Sequence, residues 1–179
     1  MQPMAIDIET TGLSLADTIT CIAITGDGWS WTWTMGHPDY NHEETKEAVK
    51  FQLDNASVIY AYNGTSFDLP FIQRFFGYSD ETLGAWMLKL VDPLYAARAL
   101  LGFGACPKLK QLLEMNDLHP KTASGAEAVD MAREGRWEEL ASYCLNDTVV
   151  TYELLDREKI VWTHGLVYSK GTRGLWRLG

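Results

Sequence analysis

Cysteine is scarce in this chain of 179 residues: Cys21, Cys106 and Cys144 are odd in number, and no C-x-x-C pair is present. That spacing argues against both a disulfide framework and a zinc cluster, and it suits a reducing compartment. Long apolar runs are missing too. No stretch approaches the roughly 18–20 residues that span a bilayer, and Met1–Thr10 has neither a basic n-region nor an apolar h-region. The expectation is a soluble, unsecreted, cytoplasmic protein that does not engage a membrane. Positive charge is likewise in short supply, with 15 Lys and Arg against 24 Asp and Glu and a net charge of −9. This balance weighs against gripping duplex DNA through a broad basic footprint and leaves room for local contacts only. Repeats and low-complexity linkers are absent as well.

What is present is globular: 46% hydrophobic and 22% charged residues rule out collagen-like, coiled-coil and wholly disordered classes. The length fits one domain with a substantial core. Met4–Ile8 reads as a strand that gives way to a turn at Glu9-Thr10-Thr11-Gly12, and Ile19–Thr25 and Trp29–Met35 flank Gly26-Asp27-Gly28 as a hairpin. Trp29, Trp31 and Trp33 alternate at period two and are expected on one packed face. A helix from Asn41 or His42 to about Leu53 precedes a strand at Ser57–Tyr62, then a helix at Phe67–Phe76 stopped by Gly77. Leu88–Val91 suggests a fifth strand; Pro93–Leu101, Leu109–Met115, Glu127–Glu134 and Trp137–Glu158 suggest helices. The end, Ile160–Gly179, carries Lys170, Arg173 and Arg177 and no acid, as either a solvated terminus or a segment that touches phosphates.

Three features carry chemistry. Asp7 and Glu9 are two apart on the first strand, so both carboxylates project from one face while Ile8 faces the other way. Paired acids repel, and hard divalent cations such as Mg²⁺ prefer oxygen ligands of this kind. Asp68 stands in the first turn of a helix that follows a strand, where the helix dipole favours an acid. Tyr143 and Asp147 are four apart and share a helix face.

In order and context these pieces resemble the DEDDy branch of the DnaQ-like 3′-5′ exonucleases. Asp7-Ile8-Glu9-Thr10-Thr11-Gly12-Leu13 is similar to the first motif, Tyr62-Asn63-Gly64-Thr65-Ser66-Phe67-Asp68-Leu69-Pro70 to the second, and Tyr143-Cys144-Leu145-Asn146-Asp147 to the third. The second is particularly similar to the proofreading domain of family B DNA polymerases, and the likeness runs from about Met4 to Leu155. It implies an α/β, RNase H-like fold with a mixed central sheet of about five strands flanked by helices, occupying residues 1–158. Residues 159–179 would form a basic, aromatic extension packed on that domain or trailing from it. It also implies two divalent cations, Mg²⁺ or Mn²⁺, held by Asp7, Glu9, Asp68 and Asp147, with Tyr143 orienting the attacking water. Thr10, Thr11, Leu13, Asn63 and Phe67 would contact the terminal nucleotide. The histidine of the alternative branch would fall at Ser142, and His37, His42, His119 and His164 all lie outside the motifs. The expected activity is a metal-dependent 3′-5′ exonuclease on single-stranded DNA, with a polymerase or replication partner as a further expectation. An exoribonuclease of the same type and a catalytically idle nucleic-acid-binding or polymerase-docking module are the alternatives.

Overall fold

A computed structural model describes residues 1–14, 16–102, 106–118, 125–162, 166–169 and 174–177. His119, His164, Lys170 and Arg173 therefore lie outside the described residues. Five strands form the main sheet in the order β3-β2-β1-β4-β5. They are β1 (Pro3–Thr10), β2 (Ile19–Gly26), β3 (Trp29–Thr34), β4 (Val58–Tyr60) and β5 (Leu90–Val91). β1, β2 and β3 are an antiparallel meander, whereas β4 and β5 join the other edge in parallel with β1. The sheet is thus mixed, as expected.

Period-two alternation divides the core. Met4, Ile6 and Ile8 of β1 and Ile22 and Ile24 of β2 face α1 (His42–Asn55), α2 (Asp68–Phe76) and α3 (Asp80–Met87), meeting Val49, Leu53, Phe71, Ile72, Phe76 and Trp86. Each such side chain contributes roughly 1.5–3 kcal/mol through burial. The opposite face carries small residues. Cys21 and Ala23 lie under α6 (Gly125–Arg133) and α7 (Trp137–Leu155), packed against Ala128, Leu140 and Cys144. Ala5 lies in a neighbouring cluster with Leu112 and Leu113 of α5 (Leu109–Met115) and Leu154 and Leu155 of α7. Because Ala5, Cys21 and Ala23 have short side chains, the axis of α7 comes close to β1 and β2.

Helix boundaries follow local chemistry. Asn41 caps α1 by accepting from the Glu44 N–H, and α2 stops at Gly77 with φ 70°. Pro93–Leu101 forms α4 and Leu109–Met115 forms α5, both as the sequence predicts. In the main body three features differ from the expectation. β1 continues to Thr10, with a register irregularity between Glu9 and Thr10, because pairing with β2 carries the strand past the apolar segment. Helix α3, capped by Ser79, has too weak an apolar stripe to be read by periodicity, although Trp86 is fully buried. Trp31 is 56% exposed on the edge strand β3, stacked on Trp33 at 6.4 Å, so only Trp29 and Trp33 of that stripe pack on the core.

The terminal segment forms a second, three-stranded antiparallel sheet of β6 (Lys159–Val161), β7 (Leu166–Ser169) and β8 (Gly174–Arg177). Ile160 and Trp162 are buried against the α5 and α7 side of the main body. Among the described residues no helix is long and apolar enough to cross a membrane.

The close approach of α7 can be tested at Ala23. Ala23→Leu is expected to lose about 1–3 kcal/mol by urea denaturation, the usual cost of overfilling a packed site; an unchanged midpoint would contradict this packing.

Candidate active site

β1 pairs with β4 only from Pro3 to Ala5, whereas its pairing with β2 continues to Thr10. Beyond Ala5 the strand offers its outer backbone to other partners. Asp68 uses that opening: it is the first residue of α2, buried at 3% exposure, and its carboxylate accepts from the Ile8 N–H and its own N–H. Burial holds the Asp68 carboxyl well above the usual range, and the charges of Asp7 and Asp92 push the same way. The two N–H donors oppose this shift without overcoming it.

Asp7 and Glu9 extend from the α7 side of β1. One ligand atom from each, together with the Cys144 thiol, lies within 4.8 Å of the others. Glu9 stands opposite Cys21 in the β1–β2 ladder and is only 9% exposed. From α7, Cys144 donates to the Asp7 carbonyl at 3.5 Å and is hydrogen-bonded to Cys21. Burial first, then Cys21, Asp7 and Glu9, push the Cys144 thiol up, so it stays protonated. A protonated thiol is a poor metal ligand, and the oxygen donors around it suit a hard cation. Tyr143 precedes it on the helix, half-buried. Burial, followed by the charges of Glu9 and Asp7, raises its phenol well above 10, which makes it a hydrogen-bond donor at neutral pH and not a base. Asp147 lies one turn further along the buried stripe of α7 and is fully buried.

The structure thus brings Asp7, Glu9, Asp68 and Tyr143 into electrostatic contact around the end of β1, with Asp147 on the adjoining turn of α7. The expected nucleotide contacts divide. Leu13 is 87% exposed and Thr11 is exposed, while Thr10 is buried and donates to the Gly12 carbonyl at 2.5 Å. Phe67 is half-buried against the α1–α3 core, 4.6 Å from the Phe71 ring. Asn63 has φ 76° and is held at both ends.

Two residues with structural control over the site are absent from the sequence reading. Asp92 caps α4 and accepts from Leu94 and Tyr95; its carboxylate also accepts from Asn63 N–H at 3.1 Å and Thr65 N–H at 3.0 Å. Arg98, also on α4, donates to Asn63 Oδ1 at 2.7 Å. Together they hold the turn that delivers Asp68. Gly64 completes that turn, because a Cβ there would lie 2.4 Å from the Ala61 Cβ. Asp92-Pro93 is a readable helix start; the reach back to residues 63–65 is tertiary.

A family model described as the RNase H superfamily matches residues 4–159. No curated protein is matched by sequence. Among solved structures, the chain is similar to the family B DNA polymerase of the hyperthermophilic archaeon Pyrobaculum calidifontis, with 16% identity and a TM-score of 0.61 over 87% of this chain and 24% of that one. The chain spans about a quarter of that polymerase. It is also similar to a nuclease solved in its apo form, with 21% identity and a TM-score of 0.61 over 87% of this chain and 70% of that one.

Two outcomes test this geometry. The folded-state pKa of Asp68 is raised, so its contribution to stability is full below the carboxylate range and is lost as pH rises through its folded value. Asp68→Asn should therefore raise the Tm of the metal-free protein at pH 7.5, on the order of the 2–4 °C that about 1 kcal/mol produces at this size, and reduce the further rise on adding Mg²⁺. Asp92→Ala should cost about 1–3 kcal/mol in urea denaturation by stranding the part-buried N–H groups of Asn63 and Thr65.

Proposed function

The chain belongs to the RNase H superfamily, and from that premise we propose that it is a metal-dependent 3′-5′ exonuclease, DEDDy in type, which hydrolyses phosphodiester bonds from the 3′ end of single-stranded DNA. The observation that carries this reading is the meeting of Asp7 and Glu9 within 4.8 Å at the end of β1, with the Asp68 carboxyl close enough to feel the Asp7 charge and a phenol from α7 kept protonated by burial and by Glu9 and Asp7. A protein has little physical reason to crowd acids together without a cation to neutralise them.

Asp7, Glu9, Asp68 and Asp147 would hold two divalent cations, Mg²⁺ or Mn²⁺, and all four donors are the hard oxygens such ions prefer. Bound there, the cations would lower the pKa of water and stabilise the charge on the departing 3′ oxygen. The remaining work falls to the chain's own groups. Tyr143, protonated across the neutral range, donates to the attacking water or to the phosphate and fixes its direction. Asp68 is held by two N–H donors and by the Asp92–Asn63 turn, so its carboxylate does not swing with the loop. Thr11 and Leu13, which are exposed, would meet the terminal nucleotide, with Thr10 bracing their turn through the Gly12 carbonyl. Asn63 and Phe67 would contribute from the other side.

The likeness of Tyr62–Pro70 to family B proofreading domains, together with the polymerase neighbour, supports DNA over RNA and a polymerase or replication factor as partner.

The test is incubation of 5′-labelled single-stranded DNA and RNA with Mg²⁺, Mn²⁺ or EDTA. A metal-dependent ladder shortening from the 3′ end of DNA is expected. Asp7→Ala should abolish it, and Tyr143→Phe should lower kcat by roughly 100-fold while leaving metal affinity unchanged. Folded protein that cleaves neither polymer with divalent metal present would sink this reading.

A further inference from the structure

A cavity of about 520 Å³, lined by none of the acidic site residues, opens next to the turn that follows β1. Ligand sites commonly fall between roughly 300 and 1,000 Å³. Its walls are largely aromatic and apolar: Trp137 from the first turn of α7, Tyr40, Phe75 from the end of α2, and Met35 after β3. The indole of Trp137 lies directly on the backbone of Gly36, where a Cβ would stand 2.2 Å from the ring. That contact holds the ring as a fixed wall. Thr11 and Thr18 are also in the lining, and the Thr11 hydroxyl accepts from the Thr18 N–H at 3.1 Å while donating to Asp17 Oδ1 at 3.3 Å. The Thr20 hydroxyl, buried in the same wall, has no hydrogen-bond partner among the described residues.

Position and charge indicate the occupant. Thr11 is two residues beyond Glu9, and Trp137 is six residues before Tyr143 on the same helix, about 9 Å along its axis. A strand whose terminal linkage rests on the carboxylates has this cavity within reach of its neighbouring nucleotides. In a chain of net charge −9, a guanidinium lines this cavity. It is Arg133, whose ion pair among the described residues is a solvent-exposed contact with Asp130. Flat apolar walls, threonine hydroxyls and one guanidinium in the lining match a nucleobase beside a phosphate.

We propose that this cavity takes a base of the substrate strand upstream of the scissile bond, stacked against Trp137 and Tyr40, with Arg133 meeting an adjacent phosphate. The inference rests on the nuclease reading and extends it to a second subsite. Such a site would make binding depend on strand length, and stacking would make it tolerant of sequence.

The experiment is photocrosslinking. Oligothymidylate and oligouridylate with 3′-terminal phosphorothioates, each carrying one 5-iodouracil at successive positions from the 3′ end, are irradiated with the native protein, and the adducts are mapped by mass spectrometry. Adducts on Trp137, Tyr40 or Phe75 from an upstream position are expected. In parallel, Trp137→Leu should raise KM about tenfold for oligomers long enough to reach the cavity, with no comparable rise for the shortest substrates. Adducts confined to other residues while unmodified strands are hydrolysed would overturn the subsite and leave the nuclease reading standing. A KM rise independent of length would overturn the subsite too, because a general packing defect behaves that way. Neither adducts nor hydrolysis would overturn both.

Discussion

The distance between α7 and the sheet is the constraint on which the acidic centre depends. Asp7 and Glu9 belong to β1 and Tyr143 to a helix far along the chain, and they meet only because Ala5, Cys21 and Ala23 present short side chains beneath that helix. Larger residues would lift α7 and separate the phenol from the carboxylates. The Cys144 thiol shows how tight the fit is, since it reaches across to the Asp7 carbonyl while packed beside Cys21. Protein interiors transmit such changes because they are close-packed. The small residues on one face of the sheet therefore control the geometry of charged groups they do not resemble.

The second half of the centre is held by a different device. Asp68 hangs from a turn that has a non-glycine residue at positive φ and a glycine pressed against Ala61, a conformation that needs outside support. Asp92 and Arg98 provide it from α4, so the strand β5 and the helix after it act as a buttress for a carboxylate they never touch directly. The mutual repulsion of Asp7 and Asp68 is sustained because each is fixed by a separate part of the framework.

Much of this was legible in the sequence. Alternation along Met4–Ile8 and Ile19–Thr25, the Gly77 stop and the Pro93 start placed the strands and several helices close to their observed bounds, because those signals are local. The pairing of Asp7 with Glu9 and of Tyr143 with Asp147 follows from strand and helix periods alone, and the structure puts each pair on a common side. What escaped was tertiary. Helix α3 has one deeply buried residue, Trp86, and no clear stripe; Trp31 alternates like a core residue, yet the sheet ends at β3 and leaves it in solvent. Asp92 reads as a simple helix cap, and nothing nearby in sequence reveals that its carboxylate also bonds a turn 27 residues earlier. The strands β6–β8 were not expected from a segment noted for its charge and its aromatic residues.

The contact between Cys144 and Asp7 joins residues 137 positions apart. That separation bears on how the molecule comes into being. Contacts of such sequence distance carry a large loop-closure cost and form late relative to local hairpins and helices. The β1–β2–β3 meander can assemble from the first part of a growing chain, but its acids face nothing until residues 137–155 have emerged and docked. A chain still under synthesis consequently has the sheet without the finished centre, and any hydrolytic capacity arrives with the last long helix and not before.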